Sequence, residues 1–137
     1  MTLGDAERVA LLSEQLGYPV TIDEISTRFA RITATPGNVI YVALNTARIA
    51  IGWIHVHAIE RLEFERYAEI GGIVVDESSR GLGVGRALMA SAESWALAQG
   101  FRRVRLSSGA QRTEAHQFYE RINYANIRTS FRFERIL

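Results

Sequence analysis

The chain has 137 residues, 47% hydrophobic and 23% charged, with no cysteine and a formal charge of +1. That balance describes a globular domain large enough to bury a core unaided, and without cysteine there is no disulfide, thiolate metal site or cysteine nucleophile. No apolar run approaches the ~20 residues of a membrane span, and the charged start MTLGDAERVA lacks the apolar stretch of a signal peptide, so a cytoplasmic protein with no membrane partner is expected.

No repeat, linker or low-complexity tract interrupts the chain, so residues 1–137 are read as one domain. Val9, Leu12 and Leu16 share a helical face over residues 5–16, which Gly17 and Pro19 end. Thr21 and Glu24 have the spacing of a capping box for a second helix over about 22–33. Residues 35–38, Thr-Pro-Gly-Asn, form a turn. Strands are expected at 39–44 and 47–59, joined by a hairpin tip at Asn45-Thr46. Residues 60–66 are a polar loop, and 67–75 form the most apolar strand. The two glycines inside that strand predict a bulge or a close backbone approach.

After the loop 76–85, Val84, Leu88, Ser91, Trp95 and Ala98 define a helix closed by Gly100. Residues 102–108 read as a strand. Ala115, Phe118, Tyr119 and Ile122 mark a short helix, and residues 123–137 read as one or two final strands. The order predicts an α/β fold of the mixed α+β kind, with a largely antiparallel sheet at its start.

All basic residues are arginines, and they are unevenly placed. Six lie within 80–112, at 80, 86, 102, 103, 105 and 112, against the single acid Glu93. Such a zone attracts a small polyanion, while the near-neutral whole chain disfavours a nucleic-acid partner. At its head stands Arg80-Gly81-Leu82-Gly83-Val84-Gly85, followed by Arg86, between an apolar strand and an amphipathic helix. Glycines let a phosphate approach the backbone, and the N–H groups of a first helical turn point at it. A P-loop is excluded because Gly81 is followed at the fifth position by Arg86 and the required lysine is absent. The dinucleotide fingerprint fails because Arg86 occupies the third glycine's place.

Residues 80–85 resemble the [Q/R]-x-x-G-x-[G/A] motif of the GCN5-related N-acetyltransferases (GNAT). The segment Ala115-His116-Gln117-Phe118-Tyr119-Glu120, with Asn123-Tyr124 after it, resembles the same family's Phe-Tyr helix. The order of elements fits along the whole chain. The resemblance implies a sheet splayed between its fourth and fifth strands, placed here at 67–75 and 102–108, and flanked by helices. Acetyl-CoA would lie in that gap. Backbone groups of the strand segment Ile73-Val74-Val75 would hold its pantetheine arm, with Ile73 and Val75 making the bonds. The N–H groups of Arg80, Gly81, Leu82, Gly83, Val84, Gly85 and Arg86 would hold its diphosphate.

The implied reaction is direct acetyl transfer from acetyl-CoA to a primary amine of a small molecule or peptide. A non-catalytic acyl-CoA-binding module is the alternative. An alkylamine is neutral in only about one molecule in 2,500 at pH 7, so a base helps. The resemblance places Glu69 in that role; its plainer reading is a surface carboxylate paired with an arginine. It places Tyr119 as the acid that protonates the leaving thiolate; its plainer reading is a core aromatic. A backbone N–H near Val75 would steady charge on the carbonyl oxygen.

Two positions depart from the family pattern. Arg112 stands where many members carry an asparagine that bonds the cofactor arm, and could reach a phosphate or carbonyl instead. Asn123 replaces a glycine and can keep its left-handed turn. His55 and His57 share one strand face with no third ligand evident, so no metal is expected; they could line the acceptor cleft. A homodimer is compatible with the resemblance.

Overall fold

The computed structural model describes residues 1–137 and forms two compact units, residues 1–106 and 107–137. The first opens with a 3-10 turn, Leu3–Asp5, running into α1, Ala6–Gln15. Helix α2, Ile22–Ala34, begins at the expected box: Glu24 N–H donates to Thr21 Oγ1 at 3.2 Å, and Thr21 N–H donates back to Glu24 Oε2 at 2.9 Å. Four strands follow in one sheet of order β1-β2-β3-β4: β1 Asn38–Leu44, β2 Ala50–Ile59, β3 Tyr67–Val75 and β4 Val104–Leu106. The first three are antiparallel, and β4 joins β3 in parallel after the crossover helix α3, Val84–Ala98. The second unit holds α4, Thr113–Arg121. This is the mixed sheet expected, with the strands at 67–75 and 104–106 third and fourth in a chain that enters through helices.

Alternation on β2 sets the core. Ala50, Gly52, Ile54 and Val56 are buried, while Ile51, Trp53, His55 and His57 are half-buried on the opposite face. Gly52 admits α3: a Cβ there would lie 3.2 Å from Leu88 Cδ1. Leu12 of α1, Ile54, Val56 and Met89 of α3 are fully buried.

Four expectations need correction. The hairpin tip is longer than two residues, and β2 starts at Ala50, not 47. Ile49 N–H donates to Asn45 Oδ1 at 2.9 Å, and Arg48 takes φ 61°, so the turn is built on the asparagine side chain. The buried stripe of α3 is Leu88, Met89, Ala92 and Ala96, because its small residues lie closest to the sheet. Ser91 is exposed, and Trp95 packs on Phe101 with ring centroids 5.8 Å apart. The strand expected at 102–108 narrows to three residues. Residues 125–137 form no strand: Phe131 and Phe133 are almost fully exposed, and an alternating pattern makes a strand only where an edge pairs with it.

Candidate active site

The β3–β4 ladder holds only three pairs: Ala68↔Val104, Glu69↔Arg105 and Ile70↔Leu106. Beyond Ile70, β3 continues to Val75 paired with β2 alone, so the sheet opens along that edge. Which backbone groups face the opening is decided by one residue. Ala68 N–H points to β4, donating to Arg103 O at 3.0 Å, whereas Asp76 N–H points to β2, donating to Ile51 O at 2.8 Å. In an unbroken strand both even-numbered residues would point the same way. They do not, because Gly71 is an extra residue between the pairs Val56↔Ile70 and His55↔Gly72. The bulge therefore turns the backbone of Ile73 and Val75 outward. The Val75 carbonyl on that side accepts Arg80 Nε at 3.4 Å. Val74, the third residue of the expected segment, turns its backbone toward Trp53 of β2 and buries its side chain.

The two glycines of β3 do both things the sequence offered as alternatives. Gly71 bulges the strand. Gly72 lets the Trp53 ring lie over it, since a Cβ there would come within 2.8 Å of Trp53 Cη2.

At the end of β3, a 3-10 turn, Glu77–Ser79, leads into the glycine corner. Asp76 caps this turn, accepting from Ser78 N–H at 3.0 Å, and its other oxygen accepts Arg8 Nη2 at 2.7 Å. Those bonds, to Ser78 first and then Arg8, hold the Asp76 carboxyl down at about 2. Gly81 and Gly83 take φ 76° and 82°, and Gly83 is the N-cap of α3. A Cβ at either position would meet nothing within 4 Å, so the glycines are required by backbone conformation, with open space above them. The N–H groups of Val84, Gly85 and Arg86 begin the helix and have no intrahelical partner. Leu82 and Arg86 are exposed, and Arg80 reaches Glu77 at 4.0 Å.

The expected cationic zone is dispersed. Arg103 pairs with Glu65 at 3.3 Å, and the Arg105 guanidinium lies over the Tyr67 ring at 4.5 Å. Within the first unit the arginines of the corner are Arg80 and Arg86. Glu63 and Glu65, readable as an acidic lure for a cationic acceptor, are paired with Arg61 and Arg103.

On the half-buried face, His57 Nε2 stands 3.4 Å from Glu69 Oε2, with both side chains partly exposed. His55 Nε2 is 3.0 Å from Asn38 Oδ1, and its ring lies 5.2 Å from that of His57. Burial, with repulsion from His57, holds His55 down at about 4. Trp53 Nε1 and His57 Nδ1 are buried without a partner. The sequence placed both histidines on this face; the contact between His57 and Glu69 was not visible in it, because it depends on the register across two strands.

In the second unit, the expected stripe Ala115, Phe118, Tyr119 and Ile122 is half-buried, and Tyr119 sits edge-on to Phe118 at 5.3 Å. Burial pushes the Tyr119 phenol up, against a smaller opposite pull from Arg112. Arg112 is exposed at the N-cap of α4 and makes no side-chain cap bond. His116 Nε2 lies 3.0 Å from Gly109 O, a local latch. Asn123 takes the left-handed turn, with φ 69°.

An opened mixed sheet that runs into a glycine-capped helix is the architecture of the acetyltransferase (GNAT) fold. The model of the Acetyltransferase (GNAT) family matches residues 8–124, and the chain belongs to that family. An acetyltransferase-type structure from Agrobacterium tumefaciens is similar at 26% identity and TM-score 0.86, covering 98% of this chain and 96% of its own. An aminoglycoside 6'-N-acetyltransferase from Acinetobacter baumannii gives TM-score 0.86 at 14% identity, with 100% and 95% covered. A GNAT family acetyltransferase from Staphylococcus aureus gives 0.80 at 20%, with 98% and 94% covered. No curated protein sequence matches the chain. No helix is long and apolar enough to cross a membrane.

Proposed function

We propose that residues 1–137 act as one domain that transfers an acetyl group from acetyl-CoA directly to a primary amine. The observation that carries this reading is the bulge at Gly71, which turns the backbone of Ile73 and Val75 to the open edge leading to the corner at Gly81 and Gly83. That edge fits a pantetheine amide as an added strand. The corner fits a diphosphate, with open space above both glycines, free N–H groups at the start of α3 and the charges of Arg80 and Arg86.

Acetyl-CoA supplies the activated acyl group and a thiolate as leaving group. The chain's residues do the rest. Val75 N–H, facing outward, stabilises negative charge on the carbonyl oxygen. Glu69 removes the ammonium proton through water, and the Tyr119 phenol returns a proton to the sulfur. With no cysteine in the chain, transfer proceeds without a cysteine-bound acyl group.

The protein is expected to bind acetyl-CoA in a calorimetric titration and to release free thiol when a panel of primary amines is added. Absence of binding at high micromolar ligand removes the reading. Binding without thiol release across the panel leaves the non-catalytic module, which the arginine at 112 would favour.

A further inference from the structure

Resting on the acetyl-transfer reading above, we propose that His57 is the positioning residue of the base: its Nε2 holds Oε2 of Glu69 and leaves Oε1 to take the acceptor's proton.

Four observations converge on this. First, Arg105 stands directly across the β3–β4 ladder from Glu69, where an ion pair would be expected. Its guanidinium instead lies over Tyr67 at 4.5 Å and is within 5.5 Å of Phe64, and the carboxylate pairs with the imidazole. An arginine would hold both carboxylate oxygens in a permanent ion pair, whereas a single imidazole N–H orients one oxygen and leaves the other free.

Second, the tautomer follows from burial. His57 Nδ1 is buried without a partner. A proton there would be an orphaned donor, a costlier state than an unused lone pair, so the proton belongs on Nε2, facing Glu69.

Third, the neighbouring ring does not compete. His55 Nε2 is committed to Asn38 Oδ1 at 3.0 Å, and with its pKa held at about 4 the ring is uncharged at neutral pH. The groups around His57 are then neutral Asn38 of β1, neutral His55 on its own strand, and Glu69 of β3, with Arg105 of β4 turned to the aromatic rings.

Fourth, Gly71 keeps the space. A Cβ at that position would lie 3.1 Å from His55 Nδ1 and 3.2 Å from His57 Nδ1. The bulge that opens the cofactor edge thus also seats the two rings.

Two measurements test the proposal. Nitrogen-15 imidazole spectra of the free protein read the tautomer without any substrate. His57 is expected as the Nε2–H form, with its ring nitrogens moving in Glu69→Gln. An Nδ1–H form, or resonances indifferent to Glu69→Gln, overturns the proposal. Kinetics with ethylamine and with hydroxylamine separate proton removal from scaffold damage, because hydroxylamine arrives unprotonated near pH 8. His57→Phe, which keeps a ring but removes the donor, and Glu69→Gln should each lose about tenfold or more in kcat on ethylamine, with little change on hydroxylamine and an unchanged KM for acetyl-CoA. The double variant should lose no more than the worse single one. Equal losses on both amines in His57→Phe would assign a structural role and overturn the proposal, as would full activity on ethylamine in either variant. Failure of the wild-type protein to bind acetyl-CoA would instead remove the acetyl-transfer reading, and the tautomer spectra would still decide the contact.

Discussion

A Cβ on Gly71 would stand 3.2 Å from Nδ1 of His57, so the residue that bulges β3 is also the residue beneath the ring. Two features at different points of the strand thereby share one cause. The bulge reverses the backbone phase beyond it, presenting Ile73 and Val75 to the open edge. The missing side chain gives His57 room to lie beside Glu69.

Gly71→Ala therefore reports on the linkage. Gly71 is not in the left-handed region, so alanine meets a steric rather than a conformational obstacle, and the neighbours are imidazole atoms that must give by a few tenths of an ångström. The variant should fold with a loss of about 1–3 kcal/mol. Its kcat on an alkylamine should fall more than its affinity for acetyl-CoA. A variant with unchanged kcat would show that the rings tolerate displacement and are not coupled to the bulge.

At the corner the logic is reversed. Gly83 has open space where a Cβ would go but φ 82°, so Gly83→Ala carries a backbone penalty of about 1–2 kcal/mol with no clash. The N–H groups of α3 should move with it, and acetyl-CoA affinity should drop about tenfold. Gly83→Asn should be milder in both respects, because asparagine tolerates the left-handed region. Thermal melts and titration calorimetry on the pair check this; equal affinities for wild type and alanine would remove the corner from the binding site.

Much of this architecture was legible in the chain because it depends on local rules. The Thr21–Glu24 cap, the glycine corner before α3, the shared face of His55 and His57 on β2 and the left-handed Asn123 each follow from residues a few positions apart. What was not legible depends on partners far apart in sequence. Whether Glu69 meets Arg105 or His57 is set by register and by an aromatic surface that captures the guanidinium. The tail carries an alternating pattern at Phe131 and Phe133, yet alternation says nothing about whether an edge pairs with it. Even the two glycines of β3, which in sequence signal either a bulge or a close approach, divide between those roles only with the ring of Trp53 in place.

Tyr119→Phe tests the proposed acid. The ring stays packed beside Phe118 and Tyr124, at 5.3 and 6.3 Å, so stability should change by less than about 1 kcal/mol. Acetyl-CoA binding should persist while kcat falls by about a hundredfold. The raised pKa places the wild-type loss of activity at high pH above the ordinary tyrosine range, and that limb should vanish in the variant. A rate within twofold of wild type would hand protonation of the sulfur to another donor.

Stability against pH tests the buried polar groups independently of catalysis. His55 has a folded pKa of about 4 against ~6.5 when unfolded, so between those values the unfolded chain binds more protons and stability falls as pH drops. Asp76, at about 2 when folded against ~3.9 unfolded, acts in the same direction in a lower window, losing its bonds to Ser78 and Arg8 as it protonates. Unfolding midpoints should therefore decline first from about pH 6.5 to 4 and further from about 4 to 2. His55→Gln should flatten the upper window and leave the lower one, since glutamine can still donate to Asn38 but cannot take a proton. Asp76→Asn should do the converse and cost about 0.5–1 kcal/mol at neutral pH through the lost ion pair with Arg8, since the amide oxygen can still accept from Ser78 N–H. A wild-type profile level between pH 7 and 5 would mean that His55 protonates in place, and the neutral ring beside His57 would have to be abandoned.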